Sequence, residues 1–261
     1  MKNVLVLLHS DRGLDARLNV ALDLARGLNG QLICLDLTMR YVPTLPEPIY
    51  MVELEPEVSP AVEIEARRRI EESGVKFHWI ERRGDLSMEL TRVADLADFI
   101  VLSSANGLMI PMMEKAISDL LVKSGKIVIA TPTIATGMPL DAEAALLWDG
   151  SPGAYHAMTC AMPLFRHAKN VTILEIDDGS LGDSAVRASS HLSQHDILNN
   201  VRSAPAFGER ASDQLLEQLA LIRPSYAAMG AFGTSRIIER LFGGVTERML
   251  HRTTVPLLLA R

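Results

Sequence analysis

The residues in this chain best placed to do chemistry are glycines. Met229-Gly230-Ala231-Phe232-Gly233 is followed, nine residues later, by Gly243-Gly244-Val245-Thr246. Gly230 closes an apolar run of strand character, and Gly243-Gly244 opens a stretch of helical spacing. Glycine lets a backbone approach a ligand closely and adopt positive φ. The first N–H groups of a helix have no partner within the helix and carry partial positive charge. The N–H groups of Gly244, Val245 and Thr246 would therefore favour an anion such as a phosphate, with the Thr246 hydroxyl as a further donor. Glycines at a strand-to-helix turn also serve simply to make the turn, and an isolated G-x-x-G reads that way first.

Other chemistries find less support. No G-x-x-x-x-G-K-[ST] places a lysine on a terminal phosphate. No G-x-S-x-G marks a nucleophile elbow. His191 and His195 are four residues apart, but the pattern predicts a helix end between them, so they read as surface residues rather than metal ligands. Arg236 and Arg240, and the pair Asp177-Asp178, read as surface groups. Cys34 and Cys160 are the only cysteines, both in apolar contexts, as expected of reduced thiols in a reducing, cytoplasmic compartment. Net charge is −6, with 15 basic and 19 acidic residues up to Gly137 and 11 and 13 after it. Neither part carries the basic footprint of nucleic-acid binding. Arg67-Arg68-Arg69 lies among glutamates and reads as a solvated helix face. The N-terminal apolar run breaks too early for a membrane span and suits a buried parallel strand.

The elements that position the glycines alternate between strand and helix. In the first part, strands are predicted at 4–8, 31–37, 75–80, 99–102 and 126–130, and helices at 15–28, 62–72, 86–97 and 111–122. Asp85 is placed to cap the third helix. Residues 41–60, with five prolines among glutamates, demand a loop. After Thr131-Pro132 the pattern restarts. Strands are predicted at 144–148, 170–176, 197–201, 226–229 and 255–260, and helices at 154–167, 185–193, 209–221 and 245–252. Alternation of this kind means parallel sheets with helices on both faces. Sliding the first part by 140 residues lays His9 on Asp149, Ala21 on Ala161 and, with no gap, Ile33 on Ile173. The chain therefore reads as two tandem domains, 1–137 and 138–261.

The spacing G-x2-G-x9-G followed by G-V-T resembles the nucleotide-binding signature of the universal stress protein family. Pro224 precedes its strand and T-V-P-L-L-L follows its helix. Trp148-Asp149-Gly150-Ser151 looks like that family's D-G-S, and Gly84-Asp85 like its approach to the third helix. The resemblance implies an α/β fold of two tandem open parallel five-stranded sheets with helices on both faces, Rossmann-like and similar to the adenine nucleotide alpha-hydrolases. It further implies that 126–130 and 255–260 pair about a two-fold axis, making an intramolecular pseudo-dimer; whether two chains then pair as a homodimer is left open.

Carried over residue by residue, the resemblance makes Asp149 an acceptor for adenine or ribose and Ile176 a main-chain contact to adenine. Met229 and Gly230 would flank ribose and phosphates, and Gly233, Gly243, Gly244, Val245 and Thr246 would cradle the phosphates. The ligand implied is ATP, with Mg2+ as an optional companion. One departure is Gly244, where the family commonly has a serine or threonine; a hydrogen bond to a charged acceptor is worth roughly 1.5–3 kcal/mol. Trp148 reads as core packing beside the base pocket.

The first domain departs further. Ser103 and Asn106 stand for Gly230 and Gly233, Glu114 and Lys115 for Gly243 and Gly244, and His9 for Asp149. Glu114 is expected to put a carboxylate where a phosphate would lie. The function implied is a regulatory ATP-binding protein of the stress response, non-enzymatic or at most a slow ATP hydrolase, acting through a protein partner the sequence does not name. The alternative is an interaction scaffold in which both sites are dead. A nucleotide α-hydrolase enzyme is the third reading, and the missing S-G-G-x-D-S and H-x-G-H types of motif argue against it.

Overall fold

The computed structural model describes residues 2–9, 11–41, 52–53, 60–104, 110–177, 184–205, 210–231 and 244–261. The first half runs β1 (Asn3–Leu7), α1 (Leu14–Gly27), β2 (Gln31–Tyr41), β3 (Val52–Glu53), α2 (Pro60–Glu72), β4 (Lys76–Gly84), α3 (Leu86–Ala94), β5 (Phe99–Ser103), α4 (Ile110–Lys123) and β6 (Ile127–Thr131). The second runs β7 (Glu143–Trp148), α5 (Pro152–Phe165), β8 (Asn170–Asp177), α6 (Ala185–Gln194), β9 (Asn199–Pro205), α7 (Ala211–Ile222), β10 (Tyr226–Gly230), α8 (Gly244–Arg252) and β11 (Leu257–Ala260).

Strand order in the first half is β4-β2-β1-β5-β6, all parallel, with β3 added antiparallel to the end of β2. The second half repeats it as β9-β8-β7-β10-β11. The halves join where β6 and β11 pair antiparallel, Leu257 opposite Ala130 and Leu259 opposite Val128. The two expected sheets are thus one continuous sheet. Its central strands are apolar on both faces, as strands covered on both sides must be. Val4, Val6, Ala144 and Leu146 face one core layer under α1, α2, α5 and α6. Leu5, Leu7, Ala145 and Leu147 face the other under α3, α4, α7 and α8. Each layer includes side chains of both halves.

Local signals act where the sequence places them. Asp85 caps α3 by accepting from Met88 N at 3.0 Å, and Ser151 caps α5 by accepting from Ala154 N at 3.1 Å, with Pro152 opening the helix. Arg68 is exposed and pairs with Glu65 at 2.6 Å and Glu72 at 2.5 Å, and Arg67 lies 4.7 Å over the Trp79 ring.

The repeat needs one correction. A shift of 140 holds through β1 and α1, where Leu14, Leu18 and Ala21 match Ala154, Met158 and Ala161 in the same core layer. It fails at the next strand. Val4 pairs with Leu32, but Ala144 pairs with Val171, so the turn after α5 is one residue shorter. Ile33 and Ile173 consequently belong to opposite core layers, since a one-residue slip reverses the facing of a strand.

Candidate functional site

Strand order reverses between β7 and β10: the chain leaves β7 for β8 on one side and later returns to β10 on the other. Crevices at such points, beyond the carboxyl ends of the strands, are where open α/β sheets bind ligands. The pairings Leu147–Met229 and Trp148–Glu175 bring Asp149, Ile176 and Gly230 to neighbouring strand ends. Asp149 is exposed, and its Oδ1 accepts from Ser151 N at 2.9 Å. Gly150, at φ +71, makes the turn a side chain would strain. The side chains of Ile176 and Met229 belong to the core, which leaves their main chains as the groups a ligand would meet. Trp148 is core as expected, 3% exposed and edge-on to Tyr155 at 4.6 Å.

Gly230 has a structural reason of its own. A Cβ there would lie 2.6 Å from Gly153 C and 2.8 Å from Ala154 N. The glycine is what lets the first turn of α5 cross the end of β10. α8 begins with Gly244 and Val245 exposed and Thr246 buried. Among the described residues a Cβ on Gly244 would meet nothing within 4 Å, so none of them forbids the serine or threonine missing there. Asp213 of α7 holds α8 through Arg248 at 3.1 Å and Arg252 at 2.9 Å. Gly233, Gly243, Arg236 and Arg240 lie outside the described residues, as do Asn106 and Asp178.

The equivalent place in the first half is built differently, around a residue the sequence reading missed. Arg17 is fully buried. Its Nε donates to Leu7 O at 2.9 Å, and its Nη2 to His9 O at 2.6 Å. Its Nη1 meets both Asp11 carboxylate oxygens at 2.8 and 2.9 Å and also donates to Ser103 Oγ. His9, Ser103 and Ser104 are all less than 8% exposed. A signal for this was present: Arg17 lies on the apolar stripe Leu14, Leu18, Ala21 of α1, a position where an unpaired charge is very costly.

The Glu114 carboxylate lies between the halves, 2.6 Å from His251 Nε2 of α8. α4 begins at Ile110 and carries Glu114 within its body. The helix end falls between His191 and His195 as expected, α6 closing at Gln194, and their rings still meet edge-on at 4.9 Å. Among the described residues no three metal-ligating side chains cluster, and no helix is long and apolar enough to cross a membrane. Cys34 is buried, and burial pushes its thiol up to about 12 against a smaller opposing effect of Arg67. An open polar groove of about 320 Å³ lies elsewhere, against α1 and α2, lined among others by Asp23, Arg26, Arg69 and Glu72.

No protein-family model and no curated protein sequence matches the chain. Its fold does match solved structures. A universal stress protein from Archaeoglobus fulgidus DSM 4304 superposes over 100% of this chain and 96% of its own, with TM-score 0.71 and 15% identity. A protein from Pseudomonas aeruginosa UCBPP-PA14, described as a universal stress protein, covers 100% of this chain and 93% of its own at TM-score 0.59 and 13% identity. A universal stress protein in complex with cAMP covers 49% of this chain and 95% of its own, at 16% identity and a TM-score of 0.36, too low to carry weight. The chain has, by fold and over its whole length, the architecture of the universal stress proteins, written twice in tandem.

Proposed function

We propose that the chain is a tandem universal stress protein that binds one adenine nucleotide, ATP, in its second domain and acts as a non-enzymatic regulator. The domains are 1–137 and 138–261. The observation that carries this reading is a contrast between matching strand ends. Asp149 is exposed where its counterpart His9 is 7% exposed, and Gly230 is partly exposed where Ser103 is 6% exposed. The second half presents an accessible switch point and the first half a sealed one. Asp149 accepts from the nucleoside, Ile176, Met229 and Gly230 offer main-chain groups, and Gly233, Gly243, Gly244, Val245 and Thr246 cradle the phosphates, with Mg2+ as an optional companion.

A fixed set of N–H donors at a helix start binds phosphate without supplying a general base or a poised lysine. Binding without rapid turnover follows. Titration calorimetry tests the site. Gly233→Asp and Gly243→Asp are expected to abolish ATP binding at unchanged melting temperature, and Asp149→Ala to weaken it by about tenfold, the worth of one lost contact. Normal binding by either aspartate variant would refute the site.

Gly244 favours a second reading. No described residue fills its side-chain space, yet it lacks the hydroxyl that would strengthen a phosphate cradle. In that reading the chain is an interaction scaffold, and none of the variants changes anything measurable with ATP.

A further inference from the structure

We infer that Arg17 is the residue that excludes ligands from the first half, by filling with its own guanidinium the place a ligand would take. The inference deepens the proposed reading and rests on it only for the choice of an adenine nucleotide as probe. The switch point of the first half lies between β1 and β5, beyond Leu7 and Ser103, and these two residues receive Arg17 Nε and Nη1. The fork is satisfied on every nitrogen: by the main-chain oxygens of Leu7 and His9, by both carboxylate oxygens of Asp11 and by the Ser103 hydroxyl.

Two features make this a built plug. Gly13 is buried at the start of α1, and a Cβ there would collide with Ser103 Oγ and come within 3.0 Å of Arg17 Nη1. The cluster therefore needs a glycine at that position. The second half keeps the glycine, as Gly153, but not the ion pair or its hydroxyl partner. Ala157 stands for Arg17, Ser151 for Asp11 and Gly230 for Ser103 under the shift that aligns α1 with α5 and the pairing that aligns β5 with β10. There the first turn of α5 packs directly on β10, where a Cβ built on Gly153 would lie 3.8 Å from Gly230 Cα, and Asp149 stays exposed. In the first half a cation and its counter-ion stand between helix and strand. The groups facing the guanidinium are all acceptors save the Ser103 hydroxyl, so a phosphate placed there would meet carbonyl and carboxylate oxygens rather than N–H donors.

Two measurements test this together. Wild-type protein is photolabelled with an azido-adenine nucleotide at millimolar concentration and its peptides are mapped. Arg17→Ala is melted with and without ethylguanidinium, which reproduces the lost fork. The expected results are no label on residues 1–137, and a saturable rise in the melting temperature of Arg17→Ala that the wild type lacks. Label within residues 7–17 or 99–104, or a folded Arg17→Ala indifferent to ethylguanidinium, would overturn the inference. If Arg17→Ala does not fold, the wild-type map decides alone. Label absent from both halves is still the result expected of the first, and sinks instead the nucleotide reading of the second.

Discussion

Two glycines of the same loop region should respond in opposite ways to the same substitution. Gly230→Ala puts a Cβ 2.6, 2.8 and 2.9 Å from Gly153 C, Ala154 N and Gly153 O. The closest of these is about 0.8 Å short of ordinary contact, and all three are backbone atoms that cannot rotate away. Relief requires α5 to move off the strand end, against the Ser151 cap and the Asp149 turn. Overpacking costs about 1–3 kcal/mol, and three backbone collisions place this site at the upper end, about 3 kcal/mol. For a chain of this size that corresponds to a melting temperature lower by about 6–12 °C. Gly244→Ala meets nothing among the described residues and removes backbone freedom from the unfolded chain. It should be neutral or stabilising by up to about 1 kcal/mol. Thermal unfolding followed by circular dichroism separates the two. Coincident melting of Gly230→Ala with the wild type would refute the close packing of β10 on α5.

Three further predictions follow from single groups. Gly244→Ser restores a donor at the cradle and should tighten ATP binding roughly tenfold or more, from about 1.5–3 kcal/mol, read by calorimetry; unchanged affinity would detach α8 from the site. Tyr226 is fully buried, its hydroxyl has no partner among the described residues, and its ring stacks on Phe165 at 6.1 Å. Tyr226→Phe should therefore leave stability in urea unchanged or raise it by about 1 kcal/mol, and a loss of that size would contradict the orphan hydroxyl. Burial alone would raise the Asp119 carboxyl, but hydrogen bonds from Lys115, Lys123 and Ser87 bring it down to about 2. A depressed carboxylate stabilises above its unfolded value near 4 and loses that contribution as pH falls toward 2. After allowance for solvent screening, Asp119→Asn should cost about 1 kcal/mol at pH 7 and nothing at pH 2, measured by urea titration at both pH values.

The alternation of apolar runs and helical stripes made the order of the elements legible, because strands buried on both faces must be continuous apolar runs and Phe99–Ser103 or Leu257–Ala260 can be little else. Meeting of the two final strands came from the family resemblance, and the pairing bears it out. Register was not legible. The turn after α5 is one residue shorter than that after α1, and apolar residues at both Ile33 and Ile173 hid the slip, since each faces a core. Arg17 was overlooked because an arginine in an amphipathic helix usually snorkels to water; only its place on the apolar stripe marked it. The contact of Glu114 with His251 was not legible, because it joins the long body of α4 to a helix 137 residues away in the chain. The cradle beyond Ala231 rests on glycine spacing and on the family resemblance, and of its residues the described part holds Gly244, Val245 and Thr246.

One half of the chain is proposed to bind an adenine nucleotide and the other to exclude it. The direct measurement is the nucleotide released when the purified protein is denatured, followed by ATP titration of the stripped protein. One adenine nucleotide per chain is the predicted result. Two per chain would contradict the sealed first half, and none, with no binding at millimolar ATP, would contradict the nucleotide site itself.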